Sequence, residues 1–259
     1  MDIPIKTIDF ATAICWVILI VFCTSAVYSI KDLEFNSGII QIGTTSDGKI
    51  LFSLPVKISN NGYYDIDLFN ITTTVKDQNG SMIIQGSTLI PTLRKGEKLS
   101  FLHNMTADQN SMLQLSQRYL FNDTELSATE FVSMKLGKLI PTQASENFTI
   151  PWGAPLYNLR IGEIQYYIFN STHIRLILLL SFDNHAPIDI KGEAKILLYN
   201  ADNEKIGLGQ TEVEAPQHQH YEGFTELYVA TTSITSTKRF ELQFQTPLFN
   251  YDSTMTLND

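Results

Sequence analysis

The chain has 259 residues, 44% of them hydrophobic and 17% charged, which supplies apolar mass for one large or two ordinary domains and excludes wholesale disorder. A net charge of −9, with 18 Lys and Arg scattered along the sequence, argues against nucleic acid as a partner, since its phosphates require clustered cations. Both cysteines, Cys15 and Cys23, lie in an N-terminal apolar stretch, so no disulfide framework or thiolate metal site can form beyond Lys31.

After a tail of residues 1–9, the segment "FATAICWVILIVFCTSAVYSI" runs uncharged for 21 residues from Phe10 to Ile30. As a helix it reaches about 31 Å, close to the hydrocarbon thickness of a bilayer. Tyr28 stands where an interfacial aromatic anchor belongs. A signal peptide ending near Thr24-Ser25-Ala26 and a buried core helix compete with a membrane anchor. The leading "MDIPIKTID" holds one Lys against two Asp, a poor basic n-region, and helices apolar all round are rare in soluble folds. The expectation is therefore one transmembrane helix over residues 10–30. Lys6 and Lys31 flank it symmetrically and give no orientation. Acceptor triplets for N-glycosylation give one: Asn70, Asn79, Asn104, Asn122, Asn147 and Asn170 each begin Asn-X-Ser/Thr, where roughly three are expected by chance. They place the large C-terminal portion outside the cytoplasm, on a single-pass plasma-membrane protein.

Beyond Lys31 the dominant period is two. "FSLPVKIS" puts Phe52, Leu54, Val56 and Ile58 on one face, and "FELQFQ" does so with Phe240, Leu242 and Phe244. "ENFTI" turns Phe148 and Ile150 inward, with Asn147 and Thr149 outward. Asn79-Gly80 and Asp202-Asn203 mark hairpins. Pro55 inside a strand implies an edge position or a bulge. Met112, Leu115, Tyr119 and Leu120 fall at helical spacing, predicting a short helix near 111–120. "IPWGAPLYNL" concentrates Pro and Gly around Trp152 and predicts an interdomain joint near 153.

An internal repeat organises the rest. "ISNNGYYDIDL" (58–68) lies on "LSFDNHAPIDI" (180–190) at an offset of 122, matching Ser59 with Ser181, Ile66 with Ile188 and Asp67 with Asp189. "GST" (86–88) follows against "GQT" (209–211). Upstream, "VYSIKDLEF" echoes "LYNLRIGEI", with Tyr28 against Tyr157, which would start the first strand at Tyr28. The predicted fold class is all-β: two tandem immunoglobulin- or fibronectin-like β-sandwiches, 31–153 and 154–259, after one transmembrane helix.

Each copy resembles the folded late embryogenesis abundant group 2 domain, also called WHy. The resemblance rests on an alternating strand, "LFSLPVKISN" or "RLILLLSFDN", an Asn-containing turn, and a second strand, "YDIDLFNITTTV" or "PIDIKGEAKILLY". The family's usual Asn-Pro turn is kept only nearby, at Ala186-Pro187, and the first copy has Gly62-Tyr63-Tyr64 instead. The tandem, anchored form with its WGAP joint is similar to uncharacterised archaeal envelope proteins. The resemblance implies a sandwich fold, no cofactor and no catalytic residues.

Candidate chemistry is sparse. Asp65 and Asp67 can be a carboxylate pair for Ca²⁺ or acid–base work, or the solvated side of a strand backed by Ile66 and Leu68. His218 and His220, near Glu214 and Glu222, carry a His-X-His spacing that suits a metal or an ordinary polar loop. Arg94, Lys95 and Lys98 form a small basic cluster that can meet lipid headgroups or an acidic polymer. No nucleophile elbow, P-loop, dinucleotide fingerprint or HExxH occurs. No catalytic, metal or cofactor residues are assigned. The expectation is a non-enzymatic envelope scaffold, adhesion or stress-protective module. Its partners are the bilayer, through residues 10–30, and an envelope or membrane-complex protein, with no nucleic acid. An accessory subunit and a hydrolase or ligand-binding protein with a hidden pocket are the alternatives.

Overall fold

A computed structural model describes residues 5–47, 49–107, 118–233 and 237–256. Helix α1 (Ile5–Lys31) precedes β1 (Leu33–Ser37), β2 (Gln41–Thr44), β3 (Ile50–Asn60), β4 (Ile66–Lys76), β5 (Met82–Leu93) and β6 (Lys98–Ala107). A helical turn α2 (Arg118–Phe121) then leads into β7 (Thr124–Leu136) and β8 (Ile140–Trp152). The second half follows as β9 (Tyr157–Ile161), β10 (Gln165–Ile168), β11 (His173–Asn184), β12 (Ile190–Asn200), β13 (Lys205–Ala215), β14 (Gln219–Ala230), β15 (Thr237–Gln245) and β16 (Asn250–Thr256). Of the helix expected near 111–120, residues 118–121 are helical, and 111–117 lie outside the described residues.

Period-two patterning makes each half a sandwich of two antiparallel sheets. In the first, β3 pairs with β1, β2 and β6, and β5-β4-β7-β8 form the facing sheet. In the second, β11 pairs with β9, β10 and β14 opposite β13-β12-β15-β16, so the duplication extends to every strand. The inward rows behave as their alternation requires: Phe52, Leu54, Val56, Ile58, Phe240, Leu242 and Phe244 are all buried. The hairpin turns fall where expected, with Gly80 and Asn203 at φ 83° and 62°. Pro55 departs from expectation, because β3 is flanked on both sides. Its missing N–H falls in the gap between β1, which pairs with 56–60, and β2, which pairs with 50–53. Its carbonyl still accepts from Gly38 N–H (2.8 Å).

The corner joining the first two long strands fixes the register of the repeat. Asn60 is fully buried. Its Nδ2 donates to the carbonyls of Tyr64 (2.9 Å) and Leu93 (3.1 Å), and its Oδ1 accepts from Gly62 N–H (3.2 Å). Asn184, equally buried, donates to Ile188 (2.9 Å) and to Ala215 and Pro216 (both 3.0 Å), and accepts from Ala186 N–H (3.0 Å). These counterparts lie 124 residues apart, so the offset of 122 is corrected by two. Asp65, and not Asp67, is the partner of Asp189: each accepts a backbone N–H from the next loop, Lys95 at 2.8 Å and Gln217 at 3.0 Å. The offset shrinks to 123 at Gly86 and Gly209, because a bulge at Leu68 (φ 51°) adds one residue to β4.

Each corner also clamps the segment that leads into its sandwich. A Cβ on Gly62 would lie 2.2 Å from Ser29 Oγ, and a Cβ on Gly153 would lie 1.9 Å from the His185 carbonyl oxygen. Ser29 Oγ accepts from the N–H groups of Tyr63 (2.9 Å) and Tyr64 (3.3 Å), while His185 N–H donates to Ala154 (2.9 Å). Ser29 and Gly153 are again 124 apart. Tyr28 consequently stays helical, with its carbonyl taking Asp32 N–H (3.1 Å). The first strand starts at Leu33, the counterpart of Tyr157, not at Tyr28.

Because each amide satisfies at least two backbone carbonyls in a corner with no ladder, Asn60→Ala and Asn184→Ala should each cost roughly 2–3 kcal/mol. Urea denaturation checks this; losses below about 0.5 kcal/mol would show the corner to be held some other way.

Candidate functional site

A polar belt crosses the first sandwich. On the inward face of its second sheet, Thr73 pairs with Gly86 and Glu130, and Glu130 pairs with Glu146. From the facing sheet, His103 is fully buried, with ring nitrogens 3.1 Å from Thr73 Oγ1 and 2.8 Å from Thr88 Oγ1. Burial lowers the His103 pKa, so a neutral ring serves as donor to one hydroxyl and acceptor from the other. The belt divides the apolar interior: Leu54, Val56, Ile58 and Ile71 pack on the helix side, while Phe52, Val75 and Met105 join a core continuous with the second sandwich. In the second copy Ile196 and Leu242 replace Thr73 and Glu130, both buried, and Thr225 replaces His103.

The belt opens into a cleft of about 1050 Å³ between edge strands β2 and β8, closed at one end by the second sandwich's corner. Ile40, Ile42, Phe148 and Trp152 supply apolar wall, and no Lys or Arg lines it among the described residues. Glu130 lies inside at 7% exposure, with no hydrogen-bond partner among the described residues, and Glu146 stands at the exposed rim. Burial and then the neighbouring Glu146 charge push the Glu130 carboxyl up. At the joint, His185 Nδ1 lies 2.8 Å from Asp123 Oδ2, and Asp123 Oδ1 accepts from Ala154 N–H (2.8 Å). Tyr157 stacks on the His185 ring at 4.3 Å. Burial opposes ionisation of Asp123, but those two hydrogen bonds hold its pKa low. The cleft thus offers carboxylates and apolar surface, suited to a cationic or hydrogen-bond-donating ligand.

Of the residues singled out from sequence, His218 lines the cleft and the others sit elsewhere. Asp65 caps the β5–β6 turn, and Asp67 accepts from Thr92 (2.9 Å), so they do not form a paired site. His218 occupies a turn at φ 57°, the position that Gly96 holds at φ 77° in the first copy. His220 Nδ1 instead pairs with Asp183 (2.7 Å), and its Nε2 lies 3.9 Å from Glu222. Among the described residues no three metal-ligating side chains converge. Arg94, Lys95 and Lys98 are exposed at and beside the β5–β6 turn. Asn79, Asn104, Asn122, Asn147 and Asn170 are exposed, whereas Asn70 is half-buried and its amide donates to Thr72 Oγ1 (3.2 Å). Sequence reasoning missed Glu130 and His103. The signal was phase: both fall in step with inward apolar residues, in "LSATEFVSM" and "FLHNMTA".

No known family profile and no curated protein matches the chain. Among solved structures it is similar to red sea bream transglutaminase, at 11% identity and TM-score 0.31, over 88% of this chain and 31% of that one. A glycosyl hydrolase family 2 member from Bacteroides cellulosilyticus matches at 7% identity and TM-score 0.31, over 83% and 28%. An Amycolatopsis orientalis exo-chitosanase matches at 8% and 0.27, over 84% and 26%. The chain therefore spans less than a third of the length of each of these proteins.

Two stability outcomes follow. A carboxyl whose folded pKa is raised stabilises fully below its unfolded value and loses that contribution as pH rises through the folded one. Glu130→Gln should therefore melt higher than the native chain at neutral pH, by up to about 1 kcal/mol, with the difference vanishing below about pH 4. Parallel melting profiles across that range would remove Glu130 from the pH dependence. His218→Gly should relieve a left-handed backbone and add roughly 0.5–1 kcal/mol, read in the same melts; a loss would mean the imidazole contributes more than the turn strain costs.

Proposed function

We propose that the chain is a single-pass plasma-membrane protein that displays two β-sandwiches on the extracytoplasmic side as a non-enzymatic envelope module, acting as scaffold, adhesion or stress-protective element. One observation carries this reading. Thr12–Lys31 has a mean hydropathy of 2.3 and is only 11% buried, so its side chains face outward where a soluble helix would hide one face. The hydroxyls of Thr24 and Ser25 return to the carbonyls of Ile20 (2.7 Å) and Phe22 (2.9 Å), which suits an apolar surrounding. The resemblance to the late embryogenesis abundant domains supports the same reading, as does the exposure of five acceptor asparagines.

A second reading is favoured by the cleft. A buried Glu130 that faces the cleft, in a row that is apolar in the sister copy, marks a departure from pure scaffolding, towards binding of a small cationic ligand.

Alkaline carbonate extraction and intact-mass measurement of the native chain test the proposal together. The protein should stay with the membrane, retain residues 10–30 and carry sugar, with Asn79 in its open turn a better acceptor than half-buried Asn70. Release by carbonate would remove the anchor, and six unmodified asparagines would undercut the outside location.

A further inference from the structure

We propose that the helix-proximal end of the first sandwich docks on anionic lipid headgroups, an inference that rests on α1 being a membrane anchor. Three loops stand level there, because Ile66 at the start of β4 pairs with Leu93 at the end of β5 and with Leu136 at the end of β7. They are the corner at 61–65, the turn at 94–97 and the turn at 137–139. The helix enters at the same level, since Leu33 pairs with Asn60.

The packing of α1 brings this end to the bilayer surface. Phe22 meets the Tyr64 ring edge-on at 5.9 Å, Ser25 Oγ lies 2.6 Å from the Tyr64 hydroxyl, and Ala26 and Ser29 are buried against the corner. Of the uncharged stretch, which Asp9 bounds, Phe10 to Val21 stands clear of the sandwich, about 18 Å of helix. A hydrocarbon layer of about 30 Å must therefore extend past Phe22, which lowers the corner and its neighbouring turns into the headgroup zone.

The chemistry of those turns suits that zone. Tyr28, Tyr63 and Leu139 are 57%, 60% and 72% exposed, presenting aromatic and apolar surface where interfacial anchors sit. Lys31, Arg94, Lys95, Lys98, Lys135 and Lys138 are all exposed around them, in a chain whose net charge is −9. The Lys95 ammonium lies 5.5 Å from the Tyr63 ring centroid. Of the nearby carboxylates, Asp65 accepts from Lys95 N–H, Glu97 from Arg94 N–H (2.8 Å) and Asp67 from Thr92, while Asp32 is exposed beside Lys31. Cations close to an anionic leaflet each strengthen attachment about fivefold. Large domains cross membranes largely regardless of charge, so this collar sets no orientation.

The full chain in phosphatidylcholine nanodiscs, with or without phosphatidylglycerol, tests the collar by hydrogen–deuterium exchange. Phosphatidylglycerol should slow exchange in the 94–97 and 137–139 turns by roughly tenfold. High salt, or the triple substitution Arg94→Gln, Lys95→Gln and Lys138→Gln, should abolish most of that slowing while leaving α1 protected. Equal turn exchange in both discs, or slowing that survives the triple variant, overturns the collar alone. Slowing produced equally by a soluble acidic polysaccharide added to phosphatidylcholine discs also overturns it, in favour of a polymer site. Free exchange of α1 in both discs overturns the anchor and the collar with it.

Discussion

A buried side-chain amide at the corner between the first two long strands is the interaction on which both sandwiches depend. A chain leaving one sheet for the other must abandon its ladder, and the carbonyls it frees are enclosed by the core, where unpaired polar groups are costly. Asn60 and Asn184 answer this in the same way, each donating its amide to carbonyls on both sides of the corner, two for Asn60 and three for Asn184, and taking one N–H from the backbone two residues on. Asparagine is suited to the position because one short planar group carries both donors and acceptor. A corner held so firmly can serve as a platform. In the first copy it grips Ser29 of α1, and in the second it grips the joint at Gly153 and Ala154.

The two copies keep this frame and differ in what fills it. The second has Ile196 and Leu242 where the first has Thr73 and Glu130, so the first interior is interrupted where the second is continuous. Replacing packed aliphatic groups by a carboxyl facing another carboxyl across adjacent strands is unfavourable. Folding alone therefore gives no reason for it, since the sister copy shows that the same frame accepts an apolar pair. A local departure from an otherwise consistent pattern is where function is most profitably sought.

Much of the frame was legible in the residues. Alternation located the strands and Asn79-Gly80 located a hairpin, because each signal arises from local chemistry. The register of the repeat was misread by two residues for an equally physical reason. Matching Asp67 with Asp189 rewarded chemical identity, whereas the corner conserves a hydrogen-bonding position, held by Asn60 and Asp65. The bulge at Leu68 has no local signature: a leucine at positive φ is set by tertiary packing, and sequence would assign it to an ordinary strand. The helix end was likewise decided from outside, by a clamp on Ser29 that lies more than 30 residues away in sequence. The cleft is legible only in part, since Glu130 breaks an inward row visibly while the opening between β2 and β8 is a property of the assembled sheets.

The absence of a linker between α1 and β1 gives these features a common geometry. With Ser29 bound to the corner, the first sandwich is oriented by its helix and not tethered by it. On the proposed membrane reading the cleft then has a fixed height. It opens beside Leu54 in the middle of β3, six residues from the corner at Asn60, about 20 Å at strand rise. The cleft would thus begin about 20 Å above the headgroups and reach up to the second sandwich's corner, and its ligand would arrive from solution and not from the bilayer. On the same reading, a basic end at the membrane and a carboxylate-lined cleft away from it would separate the two signs of charge along one sandwich. Anionic lipid would hold the first end down without competing for the second, so attachment and ligand capture can proceed independently on the same sandwich.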